Sequence, residues 1–148
     1  MNTTRFCLVR HGETDWNAER RLQGHTDVEL NARGLAQAKQ MAKALKKANF
    51  QFDILYTSDL KRAKQTAKAI EDLYAVSATS HSLLRERHLG ALQGLTINEA
   101  PLIEPELWQL HLCRNIDEEF RGGESIVQFY NRVKTALQEI QQRHAGKT

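Results

Sequence analysis

Short apolar runs alternate along this chain with longer stretches of helical spacing, and that alternation leaves few folds open to it. Arg5 to Val9 (RFCLV) is an apolar run that stops at Arg10 and reads as a buried strand. From Asn31 to Lys47, Leu35, Ala38, Ala42 and Leu45 recur at helical spacing, Ala48 continues the series, and Asn31 stands ready as N-cap. Phe52 to Tyr56 (FDILY) is the second predicted strand. Ser58 then offers an N-cap for a helix whose apolar face is Leu60, Ala63, Ala67, Ile70 and Tyr74. His81 to Leu84 is a weaker third strand. Thr96 and Glu99 have the spacing of a capping box, opening a helix that runs past Pro101 and Pro105 toward Leu112. Arg121-Gly122-Gly123 breaks the chain, and Ser125 starts a long helix with Ile126, Tyr130, Val133, Leu137 and Ile140 on its buried face. Strands alternating with helices in this order predict an α/β fold with a mainly parallel sheet.

Composition narrows the class further. The 148 residues are one domain's worth, enough to bury a core, and 41% hydrophobic with 26% charged is a globular balance. No apolar run approaches the roughly 20 residues of a membrane span, and the N-terminus lacks the pattern of a secretory signal. Cys7 and Cys113 are too few for a disulfide framework, so reduced thiols and a cytoplasmic setting are expected. The net charge of +3 is spread along helices and interleaved with acids. That is a solvated surface rather than a nucleic-acid stripe, and the mild positive excess suits a small anionic substrate. Neither a nucleic-acid nor a membrane partner is expected, and oligomeric state is not legible.

Parallel sheets bind ligands just beyond the carboxyl ends of their strands. Applied here, that rule selects Arg10-His11, the stretch from Ser58 to Arg62, and Arg85-Glu86. A nucleophile or base, several arginines and a carboxyl group are the inventory of phosphoryl transfer, where catalysis is mostly positioning and charge stabilisation. Arginine gives planar, permanently charged, bidentate contacts to phosphoryl oxygens. Arg62 falls in the first turn of a predicted helix, where the dipole and free N–H groups add to the pull. A neutral His11 can attack phosphorus and hold the group as phosphohistidine. Glu86 can protonate the leaving oxygen and later activate water. No cofactor and no metal is called for, because the histidines lack ligand spacing. His88, two residues from Glu86, belongs to the frame of its segment; His25 and His111 read as exposed or half-buried polar residues. The terminal AGKT is not a phosphate loop, since Gln141 stands where the leading glycine belongs.

Taken together, "RHGETDWN", "LQGHTDVELNARGLAQA", "YTSDLKRAKQTA", "LRERHLGALQG" and "GGES" resemble, in order and over essentially the whole chain, the motifs of the histidine phosphatase superfamily, which includes the cofactor-dependent phosphoglycerate mutases. The resemblance implies a three-layer α/β/α fold of the phosphoglycerate mutase type, with residues 1–148 as one domain. It implies His11 as phospho-accepting nucleophile and Glu86 as acid/base. Arg10, Asn17 and Arg62 would bind phosphate, and Thr14, Gln23 and Gly24 would line the substrate side. The substrate would be a small phosphorylated metabolite. Leu89, where a mutase would carry tyrosine, and a lone Arg114 favour a phosphatase over a mutase-type phosphotransferase; a non-catalytic phosphate- or partner-binding remnant is the further alternative.

The chain departs from the family at its end. The resemblance implies a further apolar strand, between the first and second, that carries a second catalytic histidine, with a helix after it. Here the long helix runs into "QQRHAGKT". The residues before His144 are polar and helical, so His144 to Gly146 reads as a helix end with Gly146 as C′. The domain is therefore expected to be C-terminally incomplete and its activity lowered. One of three symptoms should follow: an opening beside the first strand, direct pairing of Arg5–Val9 with Phe52–Tyr56, or another chain in the gap.

Overall fold

The computed structural model describes residues 3–114 and 116–148. Helix α1 is a single turn, Asp15–Ala18, closed by a reciprocal capping box between Thr14 and Asn17. Helix α2, Ala32–Lys47, begins where expected: the Asn31 side chain accepts the Gly34 N–H, and Ala38 and Ala42 are buried. Strand β1 (Leu55–Thr57), helix α3 (Lys61–Tyr74) and strand β2 (Ala78–Ser80) make one βαβ unit. Its two strands pair in parallel, Leu55 with Ala78, Tyr56 with Thr79 and Thr57 with Ser80. Helices α4 (Ala100–Ile103) and α5 (Pro105–Cys113) follow, then α6 (Ile126–Arg143), which the Ser125–Gln128 capping box opens.

The α/β class holds, with a smaller sheet than the apolar pattern predicted. Arg5–Val9 is not a strand: it is exposed along its length, with Leu8 82% exposed. A strand needs ladder partners, and neither β1 nor any other described strand pairs with this segment. Of the three expected symptoms the first is present. A cavity of about 490 Å³ separates residues 4–11 from β1, lined by Phe6, Val9, Phe52, Ile54, Leu137 and Ile140 among others. At its lower end the Arg5 N–H donates to the Lys147 carbonyl (3.0 Å), while the Asp53 and Ile54 N–H groups donate to the Thr148 carbonyl (2.9 and 3.3 Å).

Other boundaries moved for identifiable reasons. The third strand lies at Ala78–Ser80, not at His81–Leu84; His81 instead accepts the Leu83 N–H through Nδ1 and caps a 3₁₀ turn over Ser82–Leu84. The N-cap of α3 is Leu60 rather than Ser58, and the Asp27 carboxylate of a remote loop accepts the first helical N–H, that of Lys61 (2.6 Å). Thr96 and Glu99 do exchange capping hydrogen bonds, but Pro105 divides the expected helix into α4 and α5. On α6, Tyr130 is 60% exposed, and Phe129 takes its place facing the cavity with Val133 and Leu137. His144 is the C-cap, and the left-handed residue near it is Gly146, two positions on. A separate small core of Leu92, Ala100 and Phe120 packs against Trp108 and its neighbours, behind the loops that follow β2.

Candidate active site

Arg10-His11-Gly12 makes its turn against the start of α2. A Cβ on Gly12 would overlap the Gly34 carbonyl, and one on Gly34 would overlap the Glu13 carbonyl, so two glycines allow backbone to touch backbone here. Asn31 N–H donates to the Glu13 carbonyl (3.0 Å), and its side-chain amide donates to the Glu13 carboxylate (3.1 Å). On the α3 side, the Gly12 N–H donates to Thr66 Oγ1 (3.1 Å), whose hydroxyl donates in turn to the Arg62 carbonyl (2.8 Å). The turn is thereby fixed to both helices.

His11 is half-buried, and its Nδ1 lies 2.7 Å from the Gly12 carbonyl. A carbonyl can only accept, so Nδ1 carries the proton and the neutral ring keeps its lone pair on Nε2. Burial holds the imidazole below its usual range; the Gly12 carbonyl pulls it back up, the Arg62 and Arg10 cations push it down further, and Glu86 opposes them. A neutral, correctly oriented imidazole is what a nucleophile toward phosphorus requires.

Arg62 is 2% exposed. Two of its N–H groups are committed to main-chain carbonyls, Thr26 (2.9 Å) and Gly24 (2.7 Å), which leaves the rest of its five donors for another acceptor. Burial lowers its pKa while Glu86 and Asp27 raise it, and the guanidinium stays charged throughout. Arg10 and Glu86 are both exposed. Arg10, His11, Arg62 and Glu86 all line the same cavity. The neighbouring Arg85 is engaged by the Asp59 carboxylate in a two-pronged pair (2.7 and 2.5 Å).

The remaining predicted site residues lie outside that lining. Thr14 is fully buried and, as α1 cap, hydrogen-bonds Asn17; its hydroxyl also lies 3.0 Å from Gln23 Oε1. Asn17 thus spends its side-chain oxygen on the cap, with its amide nitrogen uncommitted among the described residues. Gly24 meets the site through its carbonyl on Arg62. His88 is a frame residue as expected: its Nδ1 accepts the Gly90 N–H. His144 lies at the cavity wall with Nε2 3.0 Å from the Tyr56 hydroxyl. Among the described residues no cluster of His, Cys, Asp and Glu could hold a metal ion.

A family model described as the histidine phosphatase superfamily (branch 1) matches residues 6–148. The chain belongs to that superfamily. Phosphoglycerate mutase-like protein 4 of Arabidopsis thaliana is 45% identical over 144 residues, 96% of this chain and 62% of its own length. The metal-independent phosphoserine phosphatase of the same plant is 41% identical over 146 residues, 97% of this chain and 61% of its own. The structure of a mycobacterial glucosyl-3-phosphoglycerate phosphatase superposes with a TM-score of 0.80 at 33% identity, over 91% of this chain and 62% of that one. The chain therefore spans about three fifths of the length of these histidine phosphatase relatives.

Two contributors to the site escaped sequence reasoning. Thr66 stands four residues after Arg62, one turn along the same face of α3, and that spacing could have flagged it. His25, whose Nε2 lies 2.8 Å from the Glu86 carbonyl, acts on main chain and leaves no signal in residue types.

Proposed function

We propose that this histidine phosphatase hydrolyses small phosphomonoesters through a phosphohistidine on His11. The single observation behind this reading is the His11 ring, its Nδ1 on the Gly12 carbonyl and its pKa lowered by burial, in a cavity that Arg10, Arg62 and Glu86 also line. Nε2 attacks phosphorus, the P–O bond to the leaving group breaks, and the Glu86 carboxyl gives its proton to the departing oxygen. The Glu86 carboxylate then takes a proton from water as that water attacks phosphorus; the P–N bond breaks and inorganic phosphate leaves. Arg10 and Arg62 balance the charge of the phosphoryl oxygens, with the Asn17 amide as a further donor, while Thr14, Gln23 and Gly24 shape the substrate side. No cofactor or metal takes part. Relatives named as phosphoserine and glucosyl-3-phosphoglycerate phosphatases support a small phosphorylated substrate. The two unpaired, exposed cysteines fit a cytoplasmic setting.

Leu89 and the lone Arg114 support hydrolysis over mutase-type transfer. The experiment is incubation of the protein with a phosphomonoester, quenching, and assay for acid-labile phosphate on His11 together with released inorganic phosphate. Labelling with release is expected, both lost in His11→Ala. Transfer of the group to a second hydroxyl without release would favour the mutase reading, and no label with no release would sink both.

A further inference from the structure

Arg132 sits on α6 and binds the segment that carries Glu86. All five of its N–H donors have partners. Nε and Nη2 grip the Glu124 carboxylate (2.6 and 2.8 Å), Nη1 reaches the Leu83 and Arg85 carbonyls (2.8 and 3.1 Å), and Nη2 also reaches the Glu86 carbonyl (3.1 Å). Glu124 completes the grip from the other side. Its carboxylate accepts the His88 N–H (2.8 Å), and its own N–H donates to the His88 carbonyl (2.9 Å). Arg87 Nε returns a bond to the Glu124 carbonyl (2.8 Å), and the Arg87 guanidinium lies 4.1 Å over the Phe120 ring. Arg132 and Glu124 are 16% and 19% exposed at their side chains, so their ion pair is only partly screened by solvent.

The 3₁₀ turn and its exit, residues 82–88, contain no strand and little apolar anchorage, yet Glu86 must be held to a fraction of an ångström to act on one oxygen. The His81 cap and the Arg85–Asp59 pair anchor the start of the segment, and His25 Nε2 meets the Glu86 carbonyl, but it is Arg132 that reaches the Leu83, Arg85 and Glu86 carbonyls at once. We propose that Arg132, seated on Glu124, is the positioning residue for Glu86: it fixes the main chain on both sides of the acid from outside the cavity. The inference rests on Glu86 being the acid/base. Its chemistry is specific to arginine, because a lysine ammonium has three donors at one point and cannot span a carboxylate and three separate carbonyls.

The test compares Arg132→Lys with Glu86→Gln on two substrates of unequal leaving groups, phosphoserine and p-nitrophenyl phosphate, with hydrogen exchange at the His88 amide as a readout that needs no turnover. For Arg132→Lys the expected result is a loss of about 10–100-fold on phosphoserine, below about 3-fold on the aryl ester, and faster exchange at His88 with the α3 amides unchanged. Glu86→Gln should show the same split, more deeply. A split in Glu86→Gln with equal losses, or none, in Arg132→Lys overturns the positioning role and leaves the acid assignment standing. No split in Glu86→Gln removes the acid assignment and this proposal with it. Should neither form turn over, unchanged His88 exchange overturns the proposal and faster exchange upholds it. Glu124→Gln, which keeps shape but drops the charge, repeats the comparison if Arg132→Lys does not fold.

Discussion

His11 shows how much chemistry a single hydrogen bond decides. In the proposed mechanism Nδ1–H on the Gly12 carbonyl leaves Nε2 to attack phosphorus, and protonating Nε2 removes the lone pair. Activity should therefore fall as pH drops through the His11 pKa. Burial and the two arginines place that pKa below the ordinary imidazole value, so the acid limb of kcat/KM should lie below pH ~6.5. An acid limb above that value would show that another group controls attack. The glycines at this turn carry a second test. In Gly34→Ala the new methyl meets the Glu13 main chain, which no rotamer change can relieve, and the expected cost is about 1–3 kcal/mol in denaturant melts. Because that backbone continues into Gly12 and His11, phosphohistidine formation should fall as well. That Arg10, His11, Arg62 and Glu86 would share one cavity was legible in the sequence, although the two strands read before Arg10 and Arg85 are an exposed segment and a 3₁₀ turn. Arg132 was not legible, since it works through carbonyl groups that every residue possesses.

At the scale of elements, what was legible is what closes locally. Helices α2 and α6 begin where Asn31 and Ser125 announce them, since a cap and its first turn lie within four residues of one another. Strands close through partners remote in sequence, and there the reading failed. Arg5–Val9 has strand composition but no ladder, while Ala78–Ser80, with little apolar content, is a strand because β1 lies beside it. Helix α5 carries its own liability. His111 Nδ1 is buried without a hydrogen-bond partner among the described residues, the ring stacked on Trp108 at 5.3 Å. Burial, with Arg87 and Arg114 nearby, lowers its pKa in the folded state. The unfolded chain then takes up the proton first, so this contribution to stability is intact above pH ~6.5 and is lost as pH falls through the folded pKa. His111→Phe should raise stability by about 1 kcal/mol at neutral pH, by removing an unpaired buried nitrogen, and should flatten the pH dependence of Tm. A Tm that stays unchanged would mean that the nitrogen is paired in solution.

On the scale of the whole molecule, the cavity between residues 4–11 and β1 joins the stability question to the catalytic one. Its lining is largely apolar, and its two flanks are backbone, one of them the open edge of β1 and the other the unpaired N-terminal segment. Lys147 and Thr148 already accept hydrogen bonds from both flanks and line the same cavity as His11. An appended stretch of about six β-branched residues ending in His-Gly should pair with both sides and cover Phe6 and Val9, now 45% and 41% exposed. Each large apolar side chain fully buried is worth about 1.5–3 kcal/mol, and each kcal/mol moves Tm by about 2–4 °C in a chain of this size. Phe6 and Val9 have a little under half of their surface left to bury, about 1.3–2.6 kcal/mol together, so a rise of roughly 3–10 °C is expected, with slowed hydrogen exchange at the Arg5–Val9 amides. Turnover should rise with it, because a donor held at a strand end is preorganised toward the phosphoryl oxygens and such a donor is typically worth about 10²–10³ in rate. In the present chain His144 Nε2 is engaged with the Tyr56 hydroxyl at the end of α6. His144→Ala should accordingly change activity little in either form. A large loss in His144→Ala with the fold preserved would assign the second histidine's work to His144, and unprotected Arg5–Val9 amides in the extended chain would show that the slot does not accept a strand.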